Sequence, residues 1–233
     1  MSKRARISLL LLAAVASSAP VLAQGPAGLD QAIRLRLGGF RPEGDSQYWT
    51  DKARDFTGSA ADLEDTIGGV DYRYEFTPHW ALLVSGSSYV GHDDPEYRSF
   101  TDSRGQPVRH RATLAIDSTT AGIVVYLTGP DAAFRPYVGA GGGMYSWRLE
   151  EDGRFIDFNP PPPTVFRADS RAEGTAFGNF WLAGFEVPIG WHWGFFAEGR
   201  WHQVEDDLNR DFADFGKIDL SGRDVSAGVT YRF

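Results

Sequence analysis

A period of two recurs eight times along this chain. In QAIRLRL, Ile33, Leu35 and Leu37 share one face while Arg34 and Arg36 share the other; in VDYRYEF, Val70, Tyr72, Tyr74 and Phe76 alternate with Asp71, Arg73 and Glu75. WALLVSGSSYV sets Trp80, Leu82 and Val84 against Ala81, Leu83, Ser85 and Ser87, and RATLAIDSTTAGIVVYL sets Leu114 and Ile116 against Arg111, Thr113 and Asp117. After RPYVGAGGGMYSWR comes GNFWLAGFEV, with Trp181, Ala183, Phe185 and Val187 against Gly184 and Glu186. GFFAEGRWHQV sets Phe195, Ala197 and Trp201 against Glu198, Arg200 and His202; the final segment sets Val225, Ala227, Val229, Tyr231 and Phe233 against Asp224, Ser226, Gly228, Thr230 and Arg232. Successive side chains of a strand point to opposite sides, so this spacing demands sheet with two chemically different faces.

The connections sharpen the expectation. Three are short and carry proline, near residues 77–79, 129–131 and 188–190; four are long and polar, near 43–62, 93–109, 151–171 and 205–218. Proline has no N–H to give to a central ladder, which places it in turns. Short turns alternating with long loops are the signature of strands running up and down a closed barrel, with tight turns at one rim. A water-soluble sandwich also alternates, but it buries branched aliphatics in a dry core. Here the apolar face is aromatic toward the strand ends, at Trp80, Tyr126, Phe195, Trp201, Tyr231 and Phe233, as at the two interfaces of a bilayer. The longest later apolar run, Ala121 to Leu127, is far short of the about 18 residues of a membrane helix.

The N-terminus agrees with a membrane destination reached by export. Lys3, Arg4 and Arg6 precede an apolar run from Ile7 to Val15 and the exit Val21-Leu22-Ala23, the layout of a signal peptide cleaved before Gln24. Residues 1–23 are thus expected to be a leader and residues 24–233 a single domain: an all-β, eight-stranded antiparallel up-and-down transmembrane β-barrel. The leader carries three basic residues and no acid, so its removal takes the formal charge from −8 to −11. An acidic chain is a poor partner for nucleic acid, whose affinity rests on neutralising phosphate. The absence of cysteine excludes disulfides, thiolate metal sites and a cysteine nucleophile.

The blocks GVDYRYEFTPHWAL, FRPYVGAGGGMYSWR, LAGFEVPIGWHWGFFAEGRW and VSAGVTYRF resemble the strand-turn-strand units of the small eight-stranded outer-membrane β-barrels of Gram-negative bacteria, the group of the OmpA transmembrane domain, OmpX and OmpW. The resemblance covers nearly the whole mature chain. It implies the bacterial outer membrane, contact with outer-membrane lipid and lipopolysaccharide, and a monomer. It also implies that Phe233, with Tyr231 and Val229 on its face, acts as the signal read by the outer-membrane insertion machinery. Such barrels share geometry far more than any site, so the resemblance says little about role.

An eight-stranded barrel is just wide enough for its inward side chains to fill it. Arg34, Arg36, Arg73 and Arg200 then face Asp71, Glu75, Glu186 and Glu198, with Asp117 on the same side, as a network of ion pairs in place of an apolar core. Exchange of partners in a pair such as Glu198 and Arg73 would turn the same residues into a gate. A lipid A-modifying enzyme would need a nucleophile, a base and an acid together. Ser85, Ser87 and Ser88 lie near His92, Asp93 and Asp94, but no histidine is followed by the x-Ser pattern of the deacylases and no Gly-x-Ser-x-Gly elbow occurs. The runs His92-Asp93-Asp94 and Glu205-Asp206-Asp207 define no metal geometry, and GAGGGM lacks the Lys-Ser/Thr of a phosphate loop. No cofactor, metal or catalytic residue is therefore expected. NPPPPT at 159–164 predicts a stiff polyproline segment, and Tyr48, Trp49, Tyr97, Phe100, Phe155 and Phe158 make the loops candidates for contact with lipopolysaccharide sugars or another surface. The expectation is a non-enzymatic barrel with a structural or surface-interaction role, with a narrow OmpW-like channel for small or apolar solutes and a lipid A enzyme as alternatives.

Overall fold

The computed structural model describes residues 30–159 and 162–233; the expected leader and two prolines of the polyproline run lie outside the described residues. Eight strands form the ring: β1 (Asp30–Pro42), β2 (Asp65–Thr77), β3 (Trp80–Asp93), β4 (Pro107–Tyr126), β5 (Arg135–Asp157), β6 (Thr164–Ile189), β7 (Trp193–Gln203) and β8 (Gly222–Arg232). Each pairs antiparallel with its neighbours in sequence, and β1 closes on β8 from Ala32↔Arg232 to Pro42↔Gly222. The last residue is part of the seam: the Phe233 N–H donates to the Gln31 carbonyl at 2.9 Å. Every barrel strand therefore has a partner on both edges, which removes the exposed edge that bare sheet would offer to other chains.

The strands are unequal, and the inequality shapes the molecule. β7 and β8 have 11 residues each, about what a bilayer needs, whereas β4, β5 and β6 have 20, 23 and 26. At about 3.3 Å per residue the excess carries β4–β6 far beyond the membrane as a three-stranded blade. Residues 151–171, expected to be a loop, belong mostly to this blade, paired from Glu151↔Ser170 out to Asp157↔Thr164. The outer face marks where the bilayer ends. Met144 and Phe177 face out at 47% and 79% exposure; beyond them the outward positions are Ser146, Arg148 and Glu150 on β5 and Thr175, Glu173 and Arg171 on β6.

The interior changes character at about the same height. Within the bilayer it holds charged residues, most of them from β1, β2, β7 and β8, with Arg135 of β5 and Glu186 of β6, backed by an apolar wedge of Leu83, Val124, Tyr126, Tyr137, Phe180 and Leu182. Above, it is apolar, with Leu114, Trp147, Leu149 and Ala172 buried under two folded loops. The β1–β2 loop contains a nine-residue helix, α1 (Gln47–Asp55), and a 3-10 turn, Ala60–Leu63. Nine residues cannot hold a helix alone in water. Burial of Tyr48 and Trp49, with Lys52 and Arg54 in the last turn complementing the helix dipole, holds this one in place. The β7–β8 loop adds the turn Arg210–Phe215 and a small hairpin, pairing Glu205–Asp207 with Lys217–Asp219. Together the loops plug the wide mouth of the barrel.

Candidate functional site

Glu198 is the centre of the lumen. Its carboxylate accepts from Arg73 at 2.8 Å and Arg34 at 3.4 Å, and also from Arg200. Asp71 accepts from Arg200 at 2.6 Å and from the Ser85 hydroxyl at 2.7 Å, with Arg36 at 3.6 Å. Toward the turns, Arg135 makes a two-pronged pair with Glu75 at 2.8 and 3.1 Å, and Arg232 pairs with Glu186 at 2.5 Å. Toward the cap, Asp224 accepts from Arg36 at 3.3 Å and contacts His202 at 3.0 Å, whose other ring nitrogen meets the Tyr145 hydroxyl at 3.0 Å. Aromatic faces complete the surroundings: the Arg34 guanidinium lies 3.4 Å from the Phe196 ring centre and that of Arg135 4.0 Å from Tyr126. Glycine makes room where needed, since a Cβ on Gly69 would lie 2.8 Å from the Arg36 Nε. Each buried ion costs several kcal/mol unless it is matched, and here every carboxylate faces at least one guanidinium.

Of the residues expected in the network, Arg34, Arg36, Asp71, Arg73, Glu75, Glu186, Glu198 and Arg200 lie buried in the lumen. Asp117 does not. Even-numbered positions of β4 point inward along the whole strand, so Leu114 and Ile116 are buried and Asp117 is on the outer surface. The reason is the blade: above the bilayer the outside is water and the inside is the apolar plug, which reverses the polarity of the two faces. Tyr126, expected among the interfacial aromatics, also points inward, where its hydroxyl accepts from Arg73 at 3.0 Å. Arg135, His202, Asp224 and Arg232 were not among the expected members. The parity of Arg135 with Tyr137, and the polar face of the last two strands, carried the signal for them. Val229 and Tyr231 face outward, and Tyr231 stacks against His192 and Phe233.

The serine-histidine-aspartate stretch is dispersed. Ser85 belongs to the ionic network, Ser87 bonds to Ser118 in the lumen at 2.7 Å, and Ser88 is outside; His92 is exposed and contacts Thr113. Asp94 pairs with Arg111, and Asp206 accepts from the Trp147 indole at 2.6 Å, so the two acidic runs are engaged in holding loops.

The second built region is the cap. The Trp49 indole donates to the Asp219 carbonyl at 2.9 Å, tying α1 to the β7–β8 loop. Glu151 on the blade accepts from the Tyr48 hydroxyl at 2.6 Å and from Lys52, anchoring α1 on its other side. Burial works to raise the Glu151 carboxyl, but Lys52, His110 and Tyr48 outweigh it and hold it below the usual range. Burial first, then the charge of Glu151, pushes the Tyr48 phenol well above its ordinary value. His110 sits behind them with its Nε2 3.5 Å from Glu151, wedged between Phe56 and Phe155; burial pushes its imidazole down to about 4. Beneath the cap remains a cavity of about 20 Å³ lined by Phe40, Tyr89, Tyr145 and His202 among others, room for about one water.

The sequence from residue 8 to residue 233 matches the family of the outer membrane protein beta-barrel domain. The chain belongs to that family. Among solved structures, the outer membrane protein OprG from Pseudomonas aeruginosa is similar at 17% identity and a TM-score of 0.54, covering 88% of this chain and 95% of that one. Neisserial surface protein A is similar at 12% identity and a TM-score of 0.50, covering 88% and 99%. Identities this low bear on fold alone. No curated protein matches the sequence. Membership of the family places this chain in the bacterial outer membrane.

Proposed function

We propose that this barrel is a closed, non-catalytic outer-membrane protein whose function is carried by its surface-exposed cap and blade. The supporting observation is the lumen, filled by the Glu198-centred network in the bilayer and by the apolar plug above it. A filled barrel serves as a rigid pedestal, and specificity then rests with the loops it presents. Lipopolysaccharide is the neighbour such loops meet first, and the outward face of Val229, Tyr231 and Phe233 suits recognition by the insertion machinery. Planar-bilayer recording of the refolded mature protein tests the reading. Expected is the absence of unitary conductance in wild type. Steady conductance or solute flux in the wild type would instead establish the rival reading, a narrow channel for small or apolar solutes. Release of fatty acid from lipopolysaccharide by the purified protein would overturn the non-catalytic part.

A further inference from the structure

Between α1 and the tip of the blade lies an open cleft of about 370 Å³, within the roughly 300–1,000 Å³ of small-molecule sites. Two aromatic groups line it, one of Tyr48, Phe212 and Phe215 and one of Tyr97, Phe100 and Phe158. The rings support one another edge to face, Tyr48 against Phe212 at 5.9 Å and Phe100 against Phe158 at 4.8 Å. Phe100, Phe158 and Phe215 are 40–48% exposed although each stands in a loop or at the tip, where water would disfavour them. Three partly exposed aromatics converging on one cleft is not the pattern of scattered surface residues.

The charges of the cleft decide what chemistry fits. Lys52, Arg54, Asp51, Asp55 and Glu151 line it, and each is already matched: Lys52 with Glu151, and Arg54 with Asp51 at 3.2 Å and Asp55 at 3.3 Å. An organic cation would seek the aromatic faces, but the Lys52 ammonium is already 5.7 Å from the Tyr48 ring centre and 6.0 Å from that of Phe56. An anion would meet three carboxylates. A neutral ring with apolar C–H faces and hydroxyls around its edge satisfies both sets of groups: its faces stack on the aromatic walls, and its hydroxyls bond to the carboxylates, guanidinium and Ser99 at the rim. We therefore propose that this cleft is a binding site for a neutral sugar ring of a surface glycan. The assignment rests on the reading of the cap as the functional surface and names the ligand class it takes.

Two sources supply such rings, the saccharide of lipopolysaccharide and free or host oligosaccharides, and the test separates them. Refolded mature protein in detergent is presented with a panel of neutral glucose-, galactose- and N-acetylhexosamine-terminated oligosaccharides, with complete-core lipopolysaccharide, and with lipid A lacking core sugars. The expected result is binding to one or more neutral glycans or to complete-core lipopolysaccharide but not to lipid A, insensitive to salt and weakened at least tenfold in the Phe100→Ala/Phe158→Ala double variant. Phe166→Ala, an exposed aromatic of the same blade outside the cleft, should bind as wild type. Mobility of unboiled samples on gels confirms that each variant is folded. No glycan bound by folded wild type, binding confined to sulfated or cationic probes, or binding unchanged in the double variant would each overturn the assignment. Any of these would leave the closed-lumen reading standing, since that reading fails on conductance and not on glycan binding.

Discussion

The two halves of this barrel solve the same problem with opposite interiors. In the bilayer half, Leu35, Val84 and Phe195 face out at 50–56% exposure while Arg34, Asp71 and Glu198 are buried. In the upper half, Leu114 and Leu149 are fully buried while Arg148, Glu150, Arg171 and Glu173 form an ion-paired outer surface. The difference follows from the solvent. Hydrocarbon offers no hydrophobic reason to bury apolar side chains inward, so the lower interior is held by charge-assisted hydrogen bonds. Above the bilayer the surroundings are water, and the blade and cap are organised as a soluble protein would be, around apolar contacts.

The contrast predicts opposite sensitivities. The largest effect is expected in the lower half from Glu198→Ala, which leaves Arg34, Arg73 and Arg200 without their shared carboxylate; loss of one member of a buried ionic cluster costs about 3–5 kcal/mol. Thermal unfolding in detergent measures it, and an unchanged transition would sink the network. Leu63→Ala, in the plug, should cost about 2–4 kcal/mol, the usual penalty of a buried leucine. Here the loss should be confined to the cap: limited proteolysis would cut between residues 43 and 64 while the membrane strands stay protected. Cleavage spread through the barrel would mean that the two halves are one cooperative unit.

Acid offers a graded test of the upper half. His110 is neutral in the closed cap with its pKa near 4, but in an opened cap it titrates near 6.5. Proton uptake on opening therefore makes the closed form fully stable above about pH 6.5 and progressively less so down to about pH 4. The depressed Glu151 acts in the same direction, losing its pair with Lys52 as it protonates at still lower pH. Hydrogen exchange of α1 at pH 7.5 and 4.5 should show faster opening in acid, and His110→Phe should remove much of that difference. The smallest effect is expected from Asp117→Asn, which stands on the outer surface and should shift stability by less than about 0.5 kcal/mol. A loss as large as that of Glu198→Ala would place Asp117 among the lumen charges after all.

Much of the bilayer half was legible in the sequence. β1, β2, β6, β7 and β8 each have inward and outward sets as their alternation indicates, because a strand between lipid and lumen writes its environment into every second residue. The lumen arginines and glutamates of those strands could be named, but not their partners. Glu198 meets Arg73 and Arg34 across the barrel, at separations of 125 and 164 residues, and that meeting depends on the stagger of every intervening strand. In β4 the alternation is equally clear, but its orientation is the reverse of the expectation: Asp117 faces out and Tyr126 faces in. A period of two distinguishes two faces without saying which one meets water.

From the sequence alone came the all-β architecture, the eight strands, the alternation of tight turns and long connections, and the ionisable face that a narrow barrel must enclose. These follow from local backbone geometry and from the cost of leaving strand edges or charges unmatched, which any fold of this chain must respect. Only the tertiary structure decided where the membrane ends along β4–β6, which carboxylate each arginine meets, that a short helix plugs the mouth, and that rings from three separate loops and a blade tip line one cleft. Those features depend on strand stagger and on which solvent touches each face, and neither quantity is written in the order of neighbouring residues.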